Sequence, residues 1–166
     1  FPVVQCSEYI DTKTTPFVSI DNQKAAYDAV EQLIQSGRRQ IVYLGVENDL
    51  ISSRLRLAGY RQALAGNGIA FDAKRVLFGN YGYRSASRAL SEFINGRGEL
   101  DAVFAISDRM AAGAITALRQ KGRRVPEEVS VMGFDNTDIT YMFEPSISTV
   151  AQPQSEMGEC AFRLLL

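Results

Sequence analysis

Short apolar runs alternate with amphipathic helical patterns along almost the whole 166-residue chain, and this alternation restricts the fold more than any other feature. Ile41-Val42-Tyr43-Leu44 is a continuous apolar run, the pattern of a strand covered on both faces. Val76-Leu77-Phe78, Ala102-Val103-Phe104-Ala105-Ile106 and Val129-Ser130-Val131-Met132-Gly133-Phe134 repeat it. Phe1-Pro2-Val3-Val4, Phe17-Val18-Ser19-Ile20 and residues 147–150 predict shorter strands. Between them lie helical periods. Asp21 or Asn22 caps a helix with Ala25, Ala26, Ala29, Val30, Leu33 and Ile34 on one face, and Gly37 stands where such a helix stops. Ser52 or Ser53 is expected to cap a second helix, through Leu55, Leu57, Ala58, Leu64 and Ala65, which Gly66 ends. A third carries Ala86, Leu90, Phe93 and Ile94 and closes at Gly96-Arg97-Gly98. The fourth starts at Ser107 or Asp108, carries Met110, Ala111, Ala114, Ile115 and Leu118, and ends at Gly122. Pro153 stands near the start of a last helix. Strand and helix alternating at roughly 30 residues per unit predict an α/β fold, with a parallel sheet, right-handed crossovers and helices on both faces.

Composition removes several classes of function. The chain has no histidine, which excludes Ser-His-Asp and Cys-His catalysis and most zinc sites. Cys6 and Cys160 stand alone, without a Cys-x-x-Cys, and read as two reduced thiols. A formal charge of −1 argues against a nucleic-acid-binding face in this stretch, and 46% hydrophobic residues argue against disorder. No apolar run approaches the roughly 20 residues of a membrane span. Neither a G-x-x-x-x-G-K-[ST] loop, nor a strand-linked G-x-G-x-x-G, nor a G-x-S-x-G elbow occurs. The chain opens without Met or a leader-like segment and ends inside the helical pattern of Leu164-Leu165-Leu166, so a longer natural chain is expected.

Ligands of open α/β sheets bind beyond the carboxyl ends of the strands, so the residues that follow each strand are the candidates. Arg54 and Arg56 come after the run ending at Leu44; Asn80, Tyr81 and Tyr83 after Phe78; Ser107 and Asp108 after Ile106. Asp135, Asn136 and Asp138 follow Phe134, and Gln152 follows Val150. Carboxylates, amides and a guanidinium suit vicinal hydroxyls, and an aromatic ring suits the apolar face of a sugar or base. Taken singly, each has a plainer explanation. Asp108 reads first as a helix cap, Arg54 and Arg61 as a solvated helix face, Arg56 as a surface residue, and Tyr81 and Tyr83 as loop packing. Asp135 is the least easily dismissed, because an acid directly after a buried strand must be exposed, paired or ligand-facing. It is the shared edge that raises them together.

Several blocks, in order along nearly the whole chain, resemble the LacI/GalR family of sugar-responsive transcriptional repressors. They are Val18-Ser19-Ile20-Asp21-Asn22 with Ala25-Ala26, Arg54-Leu55-Arg56-Leu57-Ala58-Gly59-Tyr60, and Ser107-Asp108-Arg109-Met110-Ala111-Ala112-Gly113-Ala114. Arg124-Val125-Pro126-Glu127-Glu128-Val129-Ser130-Val131-Met132-Gly133-Phe134-Asp135-Asn136 and Ser148-Thr149-Val150-Ala151-Gln152-Pro153, with Glu156-Met157-Gly158, complete the series. The resemblance implies a two-lobed, periplasmic-binding-protein-like (type I) effector domain with parallel sheets in both lobes and an incomplete N-terminal lobe here. Residues 1–39 would finish that lobe, 40–148 would form the C-terminal lobe, and 149–166 would cross back. It also implies that Arg56 clamps hydroxyls, Asp135 accepts from them, Tyr81 stacks, Gln152 touches both ligand and hinge, and Met157 lines the other lobe, with Asp21 near the hinge. Ser107 takes a place the family usually gives to Asn, and Arg38 one it often gives to His.

The implied protein is a cytoplasmic sensor without cofactor or metal and without enzyme activity. Its effector would be a sugar or a related polyol or nucleoside. It would meet operator DNA only through a helix-turn-helix domain outside this stretch, and would form a homodimer through residues 111–118 and Tyr141-Met142-Phe143. A periplasmic sugar-binding protein of a transport system is the alternative. A flavodoxin-like hydrolase using Asp108 or Asp135 has no companion base to support it.

Overall fold

A computed structural model describes residues 1–10 and 14–166. Its main body is a five-stranded, all-parallel sheet built from β3 (Ile41–Val46), β4 (Val76–Gly79), β5 (Ala102–Ala105), β6 (Ser130–Asp135) and β7 (Ser148–Ala151). The spatial order is β4-β3-β5-β6-β7. A second, two-stranded parallel sheet pairs β1 (Gln5–Cys6) with β2 (Phe17–Val18). The expected strand at Phe1-Pro2-Val3-Val4 is therefore displaced: pairing begins at Gln5, and the four residues before it lie outside the ladder.

The helices are α1 (Asn22–Gln35), α2 (Ile51–Gly66), α3 (Tyr83–Asn95), α4 (Asp108–Gln120) and α5 (Gln154–Leu165). Among the described residues no helix is long and apolar enough to cross a membrane. From β3 the chain runs to β4 on one side, then returns past β3 to β5 on the other. With strand order β4-β3-β5-β6-β7, crossovers of the usual right hand place α2 on one face of the sheet and α3 and α4 on the opposite face. α1 packs along α2, and α3 along α4. The first pair approaches closely because Gly59 has no side chain: a Cβ there would stand 2.2 Å from the Gln23 carbonyl oxygen.

The core lies between these layers. Tyr43, Tyr60, Phe104, Phe134 and Met110 are all fully buried within one cluster. The buried face of α1 (Ala26, Ala29, Val30, Leu33 and Ile34) belongs to the same cluster. A division at residue 39 would cut that helix from the sheet it covers, since periodicity identifies a buried face but not the sheet that receives it. α5 packs instead on β1 and β2. The apolar residues expected to present α4 to a partner are core residues: Ala111, Ala112, Ala114, Ala117 and Leu118 are fully buried. Tyr141 and Met142 are exposed, at 72% and 76%.

One end of α2 differs from the sequence reading. The helix ends at Gly66 as expected, with a left-handed residue two positions on at Gly68, φ +68°. Its first turn begins at Ile51, so neither Ser52 nor Ser53 caps it. The cap comes from Glu8, whose carboxylate accepts from the Ile51 N–H at 2.9 Å, from the Ser52 N–H at 3.3 Å, and from the Ser52 hydroxyl. An anion from a distant segment meets the positive end of the helix there, which local sequence cannot reveal.

Arg38 ties the end of α1 to the turn before β6. Its guanidinium donates to the carbonyls of Glu128 (3.1 Å), Pro126 (2.9 Å) and Glu127 (3.2 Å). Truncation by Arg38→Ala is expected to lower stability by about 1–2 kcal/mol, the scale of charged hydrogen bonds at a partly exposed position. A urea denaturation midpoint equal to the wild type would contradict it.

Candidate functional site

The carboxyl edge of the main sheet gathers side chains from α2, β6 and the residues after β7. Arg56, one turn into α2, is 8% exposed. Its Nε donates to Asn22 Oδ1 at 2.9 Å and its Nη1 to the Ile106 carbonyl at 2.7 Å. The guanidinium lies over the Phe134 ring, 3.6 Å from the centroid, and Nη1 stands 3.8 Å from Asp135 Oδ1. Among the described residues no protein acceptor takes a hydrogen bond from Nη2. Burial lowers the Arg56 pKa from its ordinary value, and the Asp135 charge opposes that shift. This group is held rigidly from behind, with one donor edge left over.

Asp135 ends β6, with its backbone at φ +105°, and Asn136 follows at +58°. Side chains rarely adopt such conformations, and they persist where the surroundings enforce them, often at functional sites. Gln152 donates from Nε2 to Asp135 Oδ1 at 2.6 Å. Burial raises the Asp135 pKa, while the Gln152 hydrogen bond and Arg56 pull it down and the Asp108 carboxylate pushes it up. The folded protein therefore binds the Asp135 proton more tightly than the unfolded chain does. This contribution to stability is whole below about pH 4 and is lost as pH rises through the higher folded value. Asp135→Asn is expected to flatten that decline and to be at least as stable as the wild type at pH 7, while losing the charge and one of the two acceptor oxygens offered to a ligand. Thermal melts of both proteins from pH 4 to pH 8 check this, and parallel pH profiles would contradict it.

Tyr81, also at positive φ (+60°), reaches the same edge through its hydroxyl, 3.0 Å from Ser53 Oγ and 3.2 Å from Asn48 Nδ2. Ser53 precedes Arg56 by one helical turn. Ser107 ends at the same edge, directly after the Ile106 carbonyl that Arg56 uses, and caps α4 by accepting from the Met110 N–H at 3.3 Å. The structure thus brings Arg56, Asp135 and Gln152 into direct contact, with Tyr81 and Ser107 beside them.

Two expected residues stand apart. Asp21 is exposed, caps α1 by accepting from the Lys24 N–H at 2.9 Å, and faces a groove lined by Gln23, Lys24, Tyr27 and Gln62. Met157 is the buried residue of α5, the helix that packs on the small sheet. Asp108 does not cap α4, because Ser107 does; its carboxylate turns inward to Thr137 and Thr149. The sequence reading missed Asn22 and Phe134 as supports of Arg56. Asn22 passes there for a helix cap and Phe134 for an ordinary strand residue, and only their approach to Arg56 shows otherwise.

A doubly wound parallel sheet with binding-type side chains at its carboxyl edge defines a class of ligand-binding domain. Residues 30–166 match the periplasmic binding protein-like domain family, and the chain belongs to that family. Within it, the chain is similar to LacI-family transcriptional regulators. It is 36% identical to the HTH-type transcriptional repressor CytR of Escherichia coli (strain K12) over 165 residues, 99% of this chain and 48% of that one. It superposes on a sugar-binding transcriptional regulator (LacI family) from Escherichia coli, complexed with phosphate, with a TM-score of 0.92 at 32% identity, covering 99% of this chain and 59% of the other. The transcriptional regulator CelR–cellobiose complex matches with a TM-score of 0.89 at 35% identity, over 98% of this chain and 50% of that one. The chain spans about half the length of the curated relatives it matches.

Proposed function

We propose that this chain is the effector-binding part of a cytoplasmic, sugar-responsive transcriptional repressor, and that Arg56, Asp135, Gln152, Tyr81 and Ser107 hold the effector. The observation that carries the reading is the contact of Arg56, Asp135 and Gln152. Here a rigid guanidinium, a carboxylate and a carboxamide meet at one sheet edge, the donor and acceptor set that a polyhydroxylated molecule needs. The similarity to regulators favours this over a periplasmic sugar-binding protein with the same fold. Met157 would contribute only from the opposite side of a closed cleft, and Asp21, at the α1 cap, only from near the hinge. No residue is assigned a catalytic role, and neither metal nor cofactor is invoked.

The lobe boundary is best drawn before α1, with β1, β2 and α5 on one side and the five-stranded sheet on the other. Effector between the lobes would favour one lobe–lobe angle, and only an affinity that differs between the two angles shifts the equilibrium. The DNA-binding heads of a homodimer, lying outside this stretch, would read that angle as a change in spacing. The exposed Tyr141 and Met142 fit a dimer contact better than the buried α4 does.

A thermal-shift screen of the intact protein against sugars, sugar phosphates and nucleosides tests the reading. A ligand at a hundred times its Kd adds about 2.7 kcal/mol to stability. At least one compound is expected to raise Tm and change operator affinity. If none shifts Tm and operator binding ignores all of them, the sensor reading fails.

A further inference from the structure

Asp108 opens α4, yet its carboxylate is 1% exposed and forms no ion pair among the described residues. It accepts from the Thr137 N–H at 2.6 Å, from the Thr137 hydroxyl at 2.9 Å, and from the Thr149 hydroxyl. A carboxylate withdrawn from water without a cation persists only where donors fill its lone pairs, so these contacts fix its position closely. The backbone makes room for it: a Cβ on Gly133 would stand 2.5 Å from Asp108 Oδ1. Thr149 is the ladder partner of Gly133, which puts the carboxylate over the β6–β7 pair. Thr137 comes directly after Asp135 and Asn136, the two residues held at positive φ. Thr149 stands three residues before Gln152 on the strand that leads to it. Both anchors of Asp108 therefore lie next to the two residues that meet at 2.6 Å across the sheet edge.

We propose that Asp108 is a positioning residue of the effector site. By tying the end of β6 and the crossover strand β7 to the start of α4, it sets the Asp135–Gln152 pair in register. This rests on the reading of that pair as effector contacts, so the test uses a readout that needs no ligand.

In the intact protein without added sugar, the Gln152 Nε2 proton bonded to Asp135 is expected to resonate downfield of a free carboxamide proton in NMR spectra. Thr149→Val removes one donor to Asp108 while keeping the side-chain shape, and Asp108→Ala removes the acceptor. Both are expected to move that proton back toward the free position, and Asp108→Asn, which keeps one acceptor oxygen, to restore part of the downfield shift. Thr116→Val, which removes a hydroxyl on α4 that bonds the Ala112 carbonyl, is expected to leave the signal unchanged. An unaltered Gln152 signal in Thr149→Val overturns the proposal, whether or not Asp108→Ala folds. A lost downfield shift in a protein that binds no sugar, sugar phosphate or nucleoside sustains Asp108 as holder of the pair and sinks the effector reading instead.

Discussion

Arg56→Ala is expected to weaken effector binding by about 2–4 kcal/mol, the cost of removing a charged donor from a largely desolvated contact. The size follows from how the residue is built in. Nε and Nη1 are consumed by Asn22 and Ile106, and the ring of Phe134 holds the guanidinium plane. The free edge thus meets a ligand with little conformational freedom left to lose. The substitution also strands Asn22 Oδ1 and the Ile106 carbonyl in a buried place, so stability should fall with affinity. Arg56→Lys separates the two roles: it keeps the charge but cannot reproduce the fork or the stacking, and binding should stay impaired. Calorimetric titration with a sugar that shifts the wild-type Tm measures both variants. Unchanged affinity in Arg56→Ala removes the residue from the site.

Glu8→Ala is expected to cost about 2–3 kcal/mol, because the carboxylate makes charged hydrogen bonds with two backbone N–H groups and a hydroxyl at the start of α2. Glu8→Gln should recover part of this loss, since an amide oxygen still accepts but no longer answers the positive end of the helix. Since Glu8 comes from the segment between β1 and β2, and α2 belongs to the main sheet, the same substitution should loosen the join between the two bodies. Hydrogen exchange at the Ile51 and Ser52 amides reports this directly. Protection equal to the wild type would show that the cap carries no weight.

The legible part of this molecule was the part written in local pattern. The runs at 41–44 and 102–106 became central strands because continuous apolar residues with helical patterns between them have few other solutions. Asp135 stood out because a charge after a buried strand needs an explanation, and the structure supplies Gln152 and Arg56. What stayed hidden depends on distant pairing. The Glu8 cap of α2 spans 43 residues, and the Asn22 support of Arg56 spans 34. Asp108 passed for a cap because Asp is a preferred cap residue, whereas Ser107 wins that role and frees the carboxylate for the interior. The family resemblance implies a dimer contact along α4, whereas its small residues let α3 and the sheet close in on the helix.

Because β7 lies at the margin of the five-stranded sheet, its backbone is laddered to β6 alone. A strand bound along both sides could not turn without breaking the middle of the sheet. This one is paired only as far as Asp135 and Ala151, so a swivel beyond that pair would leave the β3–β5–β6 ladder whole. Any tilt of α5 and the small sheet would thus be taken up beside Gln152, where a bound molecule could feel it first.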